Sequence, residues 1–491
     1  MMTNSPVQMR LGALFRSAAM AALIAASSAF SDTATAETLN QALSAAYTYN
    51  PRIDAERARL RATDESVPQA RSGYLPFVEG NADLGVQDSR VRFDDEVGGG
   101  RSGRRSTPRG YDVSVQQNLF NGFRTTNLVN QAEANVRAGR ENLREIERQV
   151  LFDGVTAYMD VVRDQAIVGL QENNVNVLSR ELSATQDRFE VGEVTRTDVA
   201  QAQARRAGAV SDLDLARANL KSSRARYERV IGSPPSNLRE PTVPYRLMPK
   251  TLEAAIARAE HENPLIITAL YLEQAASYNV DTIRGELLPT VTLEARYQDR
   301  FESSDSIAES ETTTVTGRIN VPIYQGGEVS ARVRAAKHTH VSRLQDIEDV
   351  RTQVREVTVT AWSQYQAAVA QIESDKVQVT ANQTALAGVR EEEKVGQRTL
   401  LDVLNAEQEL LNSQVQLETS RRNLIVAAYG LLSSVGRLDA ATLGVASEVY
   451  DPEAHYFEVR RKWWGISITH ADGRRENLDL WDSHGSRQSY K

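Results

Sequence analysis

The chain repeats itself. Thr38-Leu39, Asn50-Pro51 and Leu75-Pro76 recur 213 positions later as Thr251-Leu252, Asn263-Pro264 and Leu288-Pro289. A second set recurs 204 positions later. Phe120-Asn121-Gly122 answers Tyr324-Gln325-Gly326, and Val191-Gly192, Thr195, Asp198-Val199 and Ala202 answer Val395-Gly396, Thr399, Asp402-Val403 and Ala406. A duplication of this length makes each copy one structural unit, so architecture is constrained before any local reading. Gly232 to Lys250 holds five prolines and separates the copies as a surface linker. The expected organisation is a signal peptide over 1–36, a first repeat over 37–236, a linker over 237–250, a second repeat over 251–440 and a tail over 441–491.

Each copy starts with a helix, Leu39 to Arg71 and Leu252 to Arg284, which the Leu-Pro pair ends because proline cannot continue a helix and disfavours it in the preceding residue. Alternation of period two follows. Val78, Gly80, Ala82, Leu84 and Val86 stand against Glu79, Asn81, Asp83 and Gln87 in Phe77 to Gln87, and Tyr111, Val113, Val115 and Leu119 stand against Asp112, Ser114, Gln116 and Asn118. The second copy sets Val291, Leu293, Ala295 and Tyr297 against Thr292, Glu294, Arg296 and Gln298, then Val315, Gly317, Ile319 and Val321 against Thr314, Thr316, Arg318 and Asn320. These four strands are about as long as the 9–11 residues that a strand uses to cross a membrane.

Long proline-free runs come next, with apolar residues at helical spacing such as Leu151, Val155, Tyr158 and Val162. Arg124 to Arg188 as one helix extends ~100 Å at ~1.5 Å per residue, far beyond a globular domain. The chain then turns back at Val191-Gly192 and at Val395-Gly396, where glycine takes the left-handed conformation that ends a helix. Thr195-x-x-Asp198 and Thr399-x-x-Asp402 fit the capping box that starts the return helix.

Composition narrows the function classes. The net charge of -8 argues against nucleic acid as a partner, and the absence of cysteine excludes disulfides, thiolate metal sites and a cysteine-linked lipid anchor. Arg10 and Arg16, the apolar stretch Ala18 to Phe30 and Ala34-Thr35-Ala36 read as a secretory signal cleaved after Ala36. No later segment carries the ~18 apolar residues that a spanning helix needs, so membrane insertion falls to the strands. Gly98 to Gly103 formally satisfies a dinucleotide-binding pattern but precedes no helix and reads as an extracellular loop, with Arg101, Arg104, Arg105 and Arg109 as solvated charges. His338 and His340, two apart on a helix, read as surface residues that suit no zinc site. No pairing of side chains suggests a catalytic, metal or cofactor site.

Four strands cannot close a barrel, and backbone in lipid tolerates no open edge, so the chain must oligomerise. Three copies give twelve strands. The chain here resembles the outer-membrane efflux proteins typified by TolC. The motifs are Asn-Leu-Phe-Asn-Gly-Phe at 118–123, Val-Pro-Ile-Tyr-Gln-Gly-Gly at 321–327 and Val-Gly-Gln-Arg-Thr-Leu-Leu-Asp-Val-Leu-Asn-Ala at 395–406, within a likeness spanning Glu37 to Leu438. The resemblance implies a mixed α and β membrane protein, a homotrimer whose 12-stranded β-barrel sits in outer-membrane lipid and continues as a 12-helix α-barrel tunnel in the periplasm. It implies a passive exit duct for type I protein secretion or multidrug efflux, served by a periplasmic adapter and an inner-membrane ABC or proton-driven pump. Tyr450-Asp451-Pro452-Glu453 and Lys462-Trp463-Trp464-Gly465 resemble the tail of the type I secretion branch.

Residue by residue, the resemblance places adapter docking at the hairpin tips, Val191, Gly192 and Glu193 with Val395, Gly396 and Gln397. It places a periplasmic gate at Arg398, meeting Thr197 and Asp198 of a neighbouring first hairpin, with Asp402 and Asn405 lining the constriction. Asn405 stands where the family has an acid, which halves the charge expected of that ring. Glu393 replaces an aromatic and is expected to pair with Arg398. The competing expectation is a periplasmic coiled-coil adapter or scaffold, which also carries helical hairpins.

Overall fold

The computed structural model describes residues 36–93, 100–304, 307–446, 449–469 and 475–476. The expected signal segment up to residue 35, Gly98, Gly99 and Trp481 lie outside the described residues.

The expected opening helices are each broken at their Asn-Pro pair. In the first repeat they form α1 (Leu39–Tyr49), α2 (Pro51–Asp64) and α3 (Ser66–Arg71). In the second they form α6 (Leu252–Glu262) and α7 (Pro264–Arg284). Proline at the first helical position lacks an N–H that would be orphaned there anyway, so the pair starts a helix as readily as it stops one. Asn50 caps α2 by accepting from Arg52 N, and donates from Nδ2 to Val230 O at 2.9 Å. Asn263 caps α7 by accepting from Leu265 N, and donates to Ser434 O at 2.9 Å. Both asparagines are buried, and each ties the opening helices of its repeat to the end of the return helix.

The strands are β1 (Phe77–Leu84), β2 (Gln87–Phe93), β3 (Gly100–Ser106), β4 (Arg109–Asn121), β5 (Thr290–Ser304) and β6 (Ile307–Asn320). One antiparallel sheet runs β1-β4-β5-β6, so β4 and β5 join the two repeats at its centre. The expected strand 77–87 ends at Leu84, because Pro108 opposite Gly85 has no N–H for the ladder and only accepts, from Gly85 N at 2.9 Å. Beyond that gap β2 and β3 pair as a separate ribbon. Residues 100–103, expected to be a loop, are therefore strand.

The sheet has one apolar face that nothing in the chain covers: Leu84 is 79% exposed, and Val78, Tyr111, Val113, Val315 and Ile319 are exposed on the same side. The polar face of the outer strands β1 and β6 is exposed as well. Asn81, Asp112, Gln298 and Thr312 lie across from one another on the polar face. Asp83 pairs there with Arg300 at 3.2 Å.

Below the sheet run α4 (Arg124–Glu190) and α8 (Glu328–Lys394), each of 67 residues and so ~100 Å long. Gly122, at φ +69°, makes the turn from β4 to α4 so close to Gly285 that a Cβ would sit 2.2 Å from its carbonyl oxygen. The return helices α5 (Arg196–Ile231) and α9 (Leu400–Ser434) start at the expected capping boxes and are about half as long as α4 and α8. The upper half of α4 is flanked instead by α1–α3 and α7, and that of α8 by α6 and α7. Leu43, Tyr47 and Ile53 meet Leu151, Val155 and Tyr158 of α4, with Tyr227 of α5 and Leu432 of α9, in the main core at mid-height.

The linker has no helix or strand, yet it is pinned: Tyr158 Oη donates to Glu37 O and Arg239 O at 2.8 and 2.6 Å. His338 is exposed as expected. His340 is not, since it lies half-buried against Glu273 of α7. In the tail, α10 (Ala440–Leu443) and α11 (Ala454–Val459) precede a two-stranded ribbon, β7 (Ile468–Thr469) and β8 (Arg475–Glu476).

Candidate functional site

The lower ends of the four long helices form two hairpin tips of nearly identical geometry. Val191 and Val395 end α4 and α8, and Gly192 and Gly396 follow at φ +82° and +77°. Each glycine donates to the carbonyl three residues back, Phe189 O at 3.0 Å and Glu393 O at 2.9 Å. The next residues, Glu193 and Gln397, donate to Arg188 O and Glu392 O at 2.9 Å. These bonds satisfy the last carbonyls of the long helices. Both valines are well exposed, and nothing lies within 4 Å of a Cβ built on either glycine, so the tips face open space.

Capping boxes start the return helices as expected. Asp198 Oδ2 accepts from Thr195 N and Oγ1 at 2.8 and 2.7 Å, and Asp402 Oδ2 accepts from Thr399 N and Oγ1 at 3.0 and 2.8 Å. The threonine bonds hold both carboxyls below the usual range. For Asp402 the Arg398 charge adds to this.

The expected gate residues divide. Thr197 is exposed, and Asp198 is engaged by its own cap. Arg398 is exposed and donates from Nε to Glu392 Oε2 at 2.9 Å. Its expected pairing with Glu393 is corrected: Glu393 Oε1 accepts from Arg188 Nη1 at 2.8 Å, across to the first hairpin. Seven residues after Arg398, in the second turn of α9, Asn405 accepts from Arg205 Nη2 at 2.7 Å.

Near the tips, Arg188 with Glu393 and Arg205 with Asn405 thus join the hairpins of one protomer. A small apolar contact of Leu178, Ala209 and Leu404 accompanies them. Burial pushes the Glu181 carboxyl up, and Glu407 and Glu393 push it further. Arg188, Arg205 and Glu392 were not expected from the sequence. A signal existed: Arg188 of the first copy corresponds to Glu392 of the second, a charge reversal between otherwise similar tips.

The described residues contain no cluster of metal-ligating side chains and no helix long and apolar enough to cross a membrane. The two tips offer shape and charge for a partner to read, and a set of weak ion pairs that exchange partners at little cost.

The profile of the family described as outer membrane efflux protein matches residues 42–233 and 255–437, the two repeats in turn. The chain is 38% identical over 443 residues to the outer membrane efflux protein BepC of Brucella suis biovar 1, covering 90% of this chain and 94% of that one. It is 24% identical over 439 residues to the outer membrane protein TolC of Escherichia coli K12, with 85% of each chain covered. Among solved structures, the CmeC outer membrane channel of Campylobacter jejuni shares the fold, with a TM-score of 0.71 at 15% identity over 86% of this chain and 89% of that one.

Proposed function

The chain belongs to the outer membrane efflux protein family, an outer-membrane exit duct with its helices in the periplasm, and from that premise we propose how it assembles, opens and is served. The family is one of transport channels, not enzymes, and the scaffold alternative falls with that membership. Three protomers close a 12-stranded barrel by pairing the free edge of β6 on one with β1 of the next, and their helices continue it as a 12-helix tunnel. The observation that carries this is the open four-stranded sheet with an uncovered apolar face, which lipid and further copies would complete.

The tips Val191, Gly192 and Glu193 with Val395, Gly396 and Gln397 dock a periplasmic adapter of an inner-membrane ABC or proton-driven pump. The exposure of the two valines and the open space around a Cβ built on either glycine support this reading. The periplasmic end closes when Arg398 leaves Glu392 for Thr197 and Asp198 of the adjacent protomer. Asp402 then supplies a ring of three carboxylates and Asn405 a ring of three amides, to which Arg205 brings positive charge. The cargo is drugs, exported proteins or both. The name of the efflux relative supports the first, and the Tyr450-Asp451-Pro452-Glu453 tail supports the second.

The gate is tested by Arg398→Ser with Asp198→Ala. Single-channel conductance is expected to rise and cells to become sensitive to large antibiotics. A variant that loses trimer stability with unchanged conductance would reduce Asp198 to a helix cap.

A further inference from the structure

The tail carries an aromatic and cationic loop that the channel reading leaves unused. Trp463 and Trp464 are 77% and 73% exposed, Ile466 and Ile468 are exposed beside them, and Arg460, Arg461 and Lys462 precede them. Glu458 is the one acid in the same shallow cleft as Arg461, Lys462 and the two tryptophans. The loop is shaped, not loose: Lys462 N donates to Val459 O at 2.8 Å, Lys462 Nζ donates to Ser467 O at 2.8 Å, and Gly465 turns at φ +97°.

Its height on the molecule is set by α11. Glu453 meets Arg140 of α4 at 2.6 Å, His455 meets Asp64 at the end of α2 at 3.0 Å, and Tyr456 Oη donates to Glu133 of α4 at 3.3 Å. Arg140 also lies over the ring of Tyr456 at 5.1 Å, and that ring packs with Val67 and Ala70, in the segment that leads to Tyr74. Arg460, the first residue of the loop, lies over the same ring at 5.8 Å, and Glu133 is only ~14 Å below the first residue of α4, so the loop starts near the sheet end of the long helices. There the strand-to-helix junction carries exposed apolar side chains: Tyr74, Leu75, Phe77, Leu119, Phe123 and Ile323, the last 95% exposed. Such a belt marks the lipid–water boundary.

We propose that residues 460–468 are a lipid-surface anchor, with Trp463, Trp464 and Ile466 seated in the periplasm-facing leaflet of the outer membrane and Arg460, Arg461 and Lys462 against anionic phospholipid head groups. Tryptophan prefers the interface, and lysine and arginine gain from a negative surface within a Debye length. Isoleucine beside the tryptophans favours hydrocarbon over a sugar polymer, which aromatic faces alone would stack on. The inference rests on the sheet being embedded in lipid as read above.

The test uses the full-length protein in nanodiscs of phosphatidylcholine, with and without phosphatidylglycerol, doped with doxyl-labelled phosphatidylcholine. The chain has four tryptophans, so the difference in emission between wild type and Trp463→Phe/Trp464→Phe reports this pair. Doxyl lipid is expected to quench most of that difference, more strongly with phosphatidylglycerol. Arg460→Gln/Arg461→Gln/Lys462→Gln should reduce the phosphatidylglycerol effect several-fold. An unquenched difference from protein that conducts ions in planar bilayers would overturn the anchor while leaving the channel intact. In that event, loss of trimers in detergent from Trp463→Ala/Trp464→Ala would assign the loop to a second copy of the chain. Retention on isolated sacculi that depends on the tryptophans would assign it to cell-wall polymer. Protein that never conducts would fail the channel reading instead.

Discussion

Arg188 at the foot of α4 donates to Glu393 at the foot of α8 over 2.8 Å, so the two hairpins of one protomer are clasped by side chains that occupy nearly equivalent places in the two repeats. The pair is partly solvated. After allowance for solvent screening it is worth ~0.2–1 kcal/mol, enough to bias an opening motion but not to lock it. Arg205 with Asn405 adds a second weak contact nearby.

Reversal of charge at the clasp should therefore open the tunnel end in a correctable way. Arg188→Glu is expected to raise single-channel conductance, and Arg188→Glu with Glu393→Arg to bring it back toward wild type. Failure of the double reversal to restore it would mean that Arg188 acts through something other than Glu393.

The left-handed turns carry a backbone requirement with no steric one. Gly192→Ala and Gly396→Ala meet open space, so each should cost ~1–2 kcal/mol of local stability through φ alone. Hydrogen exchange at 189–196 and 393–400 should quicken, with no change in the sheet. Equal protection in variant and wild type would contradict the turn geometry.

Asp198 and Asp402 titrate below the ordinary carboxylate range, so their caps contribute fully above about pH 4 and are lost as pH falls through the lower folded value. Thr195→Ala removes the hydroxyl partner and should cost ~0.5–2 kcal/mol at neutral pH. Exchange at the tips of the wild type is expected to approach that of Thr195→Ala only in acid. A constant difference down to pH 2 would show that the carboxylate takes no part.

Glu147 behaves oppositely. Burial pushes its carboxyl up to about 7 against the pull of Arg57, with Asp439 adding to the rise and Arg144 opposing it. The folded chain holds this proton more tightly than the unfolded one, so its burial costs nothing below about pH 4 and progressively more as pH rises through 7. Glu147→Gln should thus stabilise the protein by on the order of 2 kcal/mol at pH 8 and leave it unchanged near pH 4. Urea or thermal unfolding at the two pH values checks this, and destabilisation at pH 8 would show that the charged form is the one the fold favours.

Much of this architecture was legible because it is written in local chemistry. Leu75-Pro76 and Leu288-Pro289 end helices, alternation from Val78 to Leu84 marks a two-faced strand, and Thr195-x-x-Asp198 caps as its spacing requires. The Asn-Pro pairs were visible as repeat markers, but their role is tertiary. Asn50 caps α2 locally through Arg52 N, but its amide also ties that break to Val230 O at the end of α5, and no window of sequence contains both. The packing of α1–α3, α6 and α7 on the upper halves of α4 and α8 escaped for the same reason, since helical spacing carries no record of which neighbour covers which half. The β2–β3 ribbon has glycine and arginine where alternation would have betrayed it. At the tips, Glu393 had two arginines to choose from, and only the packing of one hairpin against the other selects Arg188.

Planar-bilayer recording of detergent-purified protein whose subunit number has been fixed by native mass spectrometry tests most directly whether copies of this chain close one lipid-embedded pore. A trimer that inserts and gives discrete conductance steps, enlarged by Arg398→Ser with Asp198→Ala, is expected. A stable dimer, or a protein that stays soluble without detergent and passes no current, would contradict it.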